Sequence, residues 1–240
     1  MVDKAEQANS QPSAEEGIWG QVSQWLSTLP KPRSERIEET AAAITRAENA
    51  VRTTAANPAE NLQAFKTLLA TISPSNIRDG DVRDVFNRVS ELDAKNNTAI
   101  LIEGPRGPSR FSSSLRLKSE YRTNLADSTV SALYNAETAL FKAGGSPQES
   151  QQALAFLKNL GSGVPLDRRE ARTVLSRLQG MDQSENRSPL VCLDTSPNSP
   201  LLVSQFAPTE TAEKIASQSG EERSKIKPAA KLAGVDPGKL

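Results

Sequence analysis

There is no histidine in the 240 residues of this chain. That excludes the Ser-His-Asp triad and the Cys-His dyad, and it removes the one side chain whose ordinary pKa lies near neutrality. Cysteine is nearly as scarce. Cys192 stands alone, so no internal disulfide can form and no zinc site of the Cys/His type can be assembled. It reads as a small apolar side chain rather than a nucleophile. Aromatic residues make up 4% and apolar residues 36% of the chain, which points to a modest core accompanied by long polar segments. No apolar run is long enough to span a bilayer. Residues Met1 to Ser13 lack the apolar stretch of a secretory signal. The expectation is a soluble chain, cytoplasmic or exported without a cleaved apolar signal. Neither sign of charge prevails, with 29 Lys and Arg against 29 Asp and Glu, so nothing draws the whole molecule to nucleic acid or to an anionic membrane.

What the chain does have is helical patterning. The longest pattern runs from Ser112 to Ala143, where Leu117, Tyr121, Leu125, Thr129, Leu133, Ala136 and Leu140 recur every three or four residues. It predicts a central helix that organises the rest. Before it, Ser13 and Glu16 open a short helix carrying Ile18, Val22, Trp25 and Leu26, which stops at Pro30. A second helix from Ser34 to about Ala56 uses Ile37, Ala41, Ile44 and Val51. Asn57-Pro58-Ala59-Glu60 then restarts the chain with an N-cap, a proline at N1 and a glutamate at N3. Leu62, Phe65, Leu69 and Ile72 stripe the third helix, and Val82, Val85, Phe86, Val89 and Leu92 the fourth. An apolar run, Ala99 to Ile102, predicts a short extended segment near 98–103, packed on helices or paired with another chain.

After the central helix, Ser146-Pro147-Gln148-Glu149 repeats the capping grammar of Asn57, and Asp167 with Glu170 repeats a capping box. Two helices over 147–180 read as an αα-hairpin docked on the bundle. These recurring caps read as helix punctuation rather than as a tandem repeat. From Met181 the pattern fails, and six of the fifteen prolines fall in this last stretch. The resulting expectation is an all-α bundle of about six helices over residues 13–180. A flexible tail, 1–12, precedes it, and a largely disordered Pro/Ser-rich tail, 181–240, follows.

Candidate sites are few. The loop Glu103 to Arg110 has glycines but not the spacing of a P-loop, and its two prolines remove amide donors that a phosphate cradle needs. Glu35, Glu38 and Glu39, like Asp79, Asp81 and Asp84, read as helix starts rather than metal ligands. Arg106, Arg110, Arg116, Lys118 and Arg122, with Phe111 and Tyr121 among them, form a basic stretch. It reads first as a solvated loop whose arginines pair with carboxylates on neighbouring helices, and second as a surface suited to single-stranded nucleic acid or an acidic partner. Trp19, Leu190, Val191, Leu193, Leu201 and Leu202 are candidate contacts with a partner protein. The apolar islands at 189–193 and 200–203 fit either straps over the bundle or docking peptides. No catalytic, cofactor-binding or metal-ligating set is read. The expected function is that of a non-catalytic, helical protein-interaction protein, such as a bacterial secreted or translocated effector or an accessory factor. A structural coat or filament subunit gripping nucleic acid through 106–122 is the second reading, and self-association is compatible with both.

Overall fold

The computed structural model describes residues 31–94, 99–105, 113–143, 146–194 and 206–217. Within them lie seven α-helices: α1 (Arg33–Thr53), α2 (Pro58–Thr71), α3 (Val82–Ala94), α4 (Ser119–Lys142), α5 (Pro147–Gly161), α6 (Arg168–Ser184) and α7 (Glu210–Ser217). Two small antiparallel sheets complete the fold. In one, β1 (Leu101–Pro105) pairs with β2 (Ser113–Leu117). In the other, β3 (Val191–Leu193) pairs with β4 (Phe206–Pro208). The mostly helical class is as the periodicity predicts.

The elements fall into two copies of one unit. α1 is flanked by α2 and α3, and a β-hairpin follows. α4 is flanked by α5 and α6, and a second β-hairpin follows. The correspondence holds residue by residue, with an offset of 89 positions in the helices (48 to 137, 93 to 182). Ile44, Val51, Leu68, Val85 and Val89 are buried in the first unit, and Leu133, Leu140, Leu157, Val174 and Leu178 are buried at the matching positions of the second. The N-cap of α2, Asn57 followed by Pro58, matches Ser146 and Pro147 at α5. Polar pairs recur too. Arg33 bonds Asp81 at 2.7 Å, and Arg122 bonds Glu170 at 2.9 Å. Arg88 bonds Glu38 at 2.6 Å, and Arg177 bonds Asp127 at 2.6 Å. Each hairpin is closed in the same way: Lys118 N–H donates to Ile100 O at 2.9 Å, and Thr209 N–H donates to Leu190 O at 2.8 Å.

The second unit stacks on the first through α4, which packs on α2. α7 packs on α5 in the corresponding place, so it stands where the first helix of a third unit would begin. Lys66 on α2 staples the units together by donating to the carbonyls of Asn159, Leu160 and Ser162 at the end of α5. These are carbonyls that the end of a helix leaves without intrahelical partners. Of the recurring caps, the Asp167–Glu170 box has no counterpart in the first unit, where Arg78 stands, but those at Asn57 and Ser146 are the trace of a tandem repeat and not merely punctuation. Their period is long because each unit holds three helices and a hairpin.

Four further expectations are corrected. The central helix begins at Ser119, not Ser112. Residues 113–117 alternate instead: Leu115 and Leu117 are buried and Arg116 is exposed, the period of a strand. β1 accordingly finds its partner within the chain, so the extended segment is half of a hairpin. The two helices after residue 147 both pack on α4 rather than forming a hairpin with one another. The chain from 181 is also not simply a tail. α6 runs on to Ser184, and residues up to 194 and from 206 to 217 belong to the fold, with Leu190, Phe206, Ala212 and Ala216 in the core. These residues are ordered by tertiary contacts that no local pattern announces. The helix expected over 13–29 lies outside the described residues.

Candidate functional site

Each unit buries a pair of acids where its first and third helices meet the hairpin. Glu48 and Asp93 are 0% and 2% exposed, and Glu137 and Asp182 are both 0% exposed. Glu48 accepts a hydrogen bond from the Ile100 amide at 3.2 Å, and Glu137 accepts one from the Leu190 amide at 3.0 Å. The glutamates thus anchor each hairpin to the helices by its first strand. Burial, and then the neighbouring aspartate, push the Glu48 carboxyl up to about 8, and the same two causes push Glu137 to about 8. Glu48 also shares a hydrogen bond with Asp93, which requires one of the two carboxyls to carry a proton. Burial raises Asp182 to about 6 against the opposing pull of Arg187. Arg187 lies over the rings of Tyr134 and Phe141, with its guanidinium carbon 4.9 Å and 5.3 Å from their centres, and bonds Thr138 Oγ1 at 2.9 Å. Paired carboxyls with one raised pKa can serve as acid and base. Here both pairs are sealed from solvent, and the recurrence of the arrangement in both units marks it as part of the scaffold.

A cleft of about 500 Å³ runs along the junction between the units. α1 and α2 line one wall with Val51, Arg52, Asn61 and Phe65, and α4 lines the other with Tyr121, Asn124, Asp127 and Ser128. The walls are tied at the floor, where Ser128 Oγ donates to Asn61 Oδ1 at 2.6 Å. Asn61 in turn donates to Val51 O at 2.6 Å, the last-turn carbonyl of α1. A second, shallower depression of about 540 Å³ lies on the outer face of α6, lined by Arg168, Arg169, Arg172, Thr173, Ser176 and Arg177.

The candidates read from the sequence do not come together. Arg122 is held by Glu170, and its Nη1 reaches Pro165 O at 3.4 Å, so it cements α4 to the start of α6. Arg116 lies on the exposed side of β2 with Nε 3.3 Å from Ser114 Oγ, and Lys118 is the residue preceding α4. Arg106, Arg110, Trp19, Leu201 and Leu202 lie outside the described residues. Leu190 and Val191, 0% and 2% exposed, are core residues of the second hairpin, and Leu193 is half-buried. Of the two readings of 189–193, the strap over the helices describes them, since their side chains are consumed within the chain. Cys192, between them, is exposed. The residues that sequence reasoning missed are Arg168, Arg169 and Arg172. The signal that marks them is three arginines in the first turns of one helix, interleaved with the capping box of Asp167 and Glu170.

Among the described residues no group of three or more metal-ligating side chains gathers, and no helix is long and apolar enough to cross a membrane. Comparison of the chain with protein-family models, curated proteins and solved structures gives no match.

Proposed function

We propose that this chain is a non-catalytic interaction scaffold that binds a partner protein on the outer surface of its stacked units. The observation that carries the reading is the division of labour among its polar residues. The arginine–carboxylate pairs and the buried acids that both units share tie helices to one another or to the hairpins. Buried positions that differ between the units are filled mostly by other apolar side chains, such as Ile44 and Leu133 or Phe65 and Leu154. Exposed positions change charge, as Asp79 and Arg168 do, and such a surface is one a partner could read. Repeat units that stack in one dimension present extended surfaces of this kind, and contact rather than bond-making is their common use.

The test is co-purification with the full chain as bait, followed by titration calorimetry with each captured protein. A saturable complex of defined stoichiometry supports the scaffold. Turnover of a small-molecule substrate by the purified chain would contradict it. A truncation at 181 would cut through α6 and remove the second hairpin and α7, so the informative shortened chain ends at Ser217.

A further inference from the structure

What both units carry is scaffold, and a costly feature carried by one unit alone calls for another purpose. The outer face of α6 is such a feature. Arg168, Arg169 and Arg172 are exposed and make no side-chain hydrogen bond or ion pair among the described residues. In the first unit the matching positions hold Asp79, Gly80 and Arg83, the first two in a 3-10 turn just ahead of α3. A unit of this kind therefore folds without guanidiniums at the places of Arg168 and Arg169, while Arg172 has a counterpart in Arg83, which lies 4.0 Å from Glu103. The three arginines are also placed where a helix tolerates cations least. Arg168 and Arg169 occupy its first two positions, next to the positive end of the helix dipole, and Arg168 and Arg172 repel each other one turn apart. The neighbouring acids do not relieve this. Asp167 caps the helix by accepting from the amides of Arg169 and Glu170 at 2.8 Å, and Glu170 holds Arg122. The backbone end of the helix is thus closed by its capping box, and what remains is a ridge of side chains around the 540 Å³ depression.

We propose that this ridge docks an acidic segment of a partner protein, with carboxylates seated on Arg168, Arg169 and Arg172. The proposal rests on the scaffold reading and names its surface. Guanidiniums match carboxylates in a two-pronged geometry. The ridge from residue 168 to residue 176 is about 12 Å long at 1.5 Å per residue, the reach of three or four residues of extended peptide. It has no aromatic side chain on which a base could stack, and α4 places Asp127 beside its far end, paired with Arg177. An acidic peptide fits these limits better than a nucleic-acid backbone does.

The experiment is fluorescence anisotropy on the full chain with a labelled glutamate-rich decapeptide as probe, and a single-stranded oligonucleotide of ten nucleotides alongside it. The triple variant Arg168→Gln, Arg169→Gln, Arg172→Gln is compared with Arg83→Gln, the matching position of the first unit. Saturable peptide binding that weakens about tenfold or more in the triple variant, stays unchanged in Arg83→Gln and falls with added salt is the expected result. The triple variant should melt no lower than the parent, since like charges have been removed. Equal peptide binding by parent and triple variant, or no saturable binding by the parent, would overturn the proposal. So would oligonucleotide binding that is tighter than peptide binding and lost in the triple variant. Should a captured partner bind parent and triple variant alike, the ridge fails and the scaffold reading stands.

Discussion

Replacing Glu137 by Gln should make the protein more stable at pH 8 and leave it unchanged at pH 5. Burial and the Asp182 carboxyl hold Glu137 at about 8 in the folded chain, against an ordinary value of 4.5. Between those values the native state keeps a proton that the unfolded chain has released. Stability then falls as pH rises, by about 1.4 kcal/mol per pH unit for each such group. The contribution is complete below about 4.5 and is spent once pH passes about 8. From pH 5 to pH 7 this amounts to about 3 kcal/mol for Glu137, a large share of the 5–15 kcal/mol typical of a folded domain. Glu48, also near 8, adds a loss of the same sign, and Asp182 adds another up to about 6. Glu38 and Asp81, whose arginine partners hold them below the ordinary carboxylate range, act in the opposite sense only in more acidic solution. Glutamine keeps the acceptor for the Leu190 amide. It also brings an N–H toward Asp182, whose two carboxyl oxygens have no hydrogen-bond partner among the described residues. Urea denaturation at pH 5, 6, 7 and 8 measures the effect. The parent midpoint should fall across the series, and Glu137→Gln, level with it at pH 5, should fall less and end higher. Identical pH slopes for the two proteins, or a parent midpoint that rises from pH 5 to pH 8, would refute the reasoning.

Leu133→Ala and Leu125→Ala, each at a fully buried position on α4, should cost about 2–5 kcal/mol in chemical denaturation, and an unchanged midpoint would place that face outside the core. Gly161→Ala sets a methyl group into the Phe206 carbonyl oxygen, so β4 has to shift. Hydrogen exchange should accelerate over 206–217 and much less over 101–117. Lys66→Ala removes three bonds to the carbonyls at the end of α5 and should lower stability by about 1–3 kcal/mol, read as an earlier thermal midpoint.

Helix existence was legible because it rests on local signals. The stripe of α3, the Asn57-Pro58 start of α2 and the Asp167–Glu170 capping box all appear where the pattern puts them. The start of α4 was misplaced because Leu117 fits the helical register of Tyr121 and Leu125 while belonging to a strand. At a strand–helix junction the two periods share a residue, and only pairing decides between them. The same reasoning could not recover 189–217. Leu190 and Phe206 are ordered by Glu137 and α5, residues far from them in the chain. The duplication was in plain view: Ala47-Glu48 and Ala136-Glu137, Arg88 and Arg177, and Asp93 and Asp182 all share one spacing. No short-range pattern announces it, because the unit is long and most matching positions conserve polarity rather than identity. Among the candidate sites, the basic stretch at 106–122 joined Arg116, on a strand, to Arg122, on a helix, and the two make unrelated contacts. The arginine ridge became visible only when one unit could be compared with the other.

The central claim is that two copies of one unit fold alike and stack. Amide hydrogen exchange followed by NMR tests it at matched positions. Ile100 and Leu190, each bonded to a buried glutamate, and Lys118 and Thr209, each closing a hairpin, should show slow exchange in matched pairs. Protection at Ile100 and Lys118 with unprotected exchange at Leu190 and Thr209 would contradict the account.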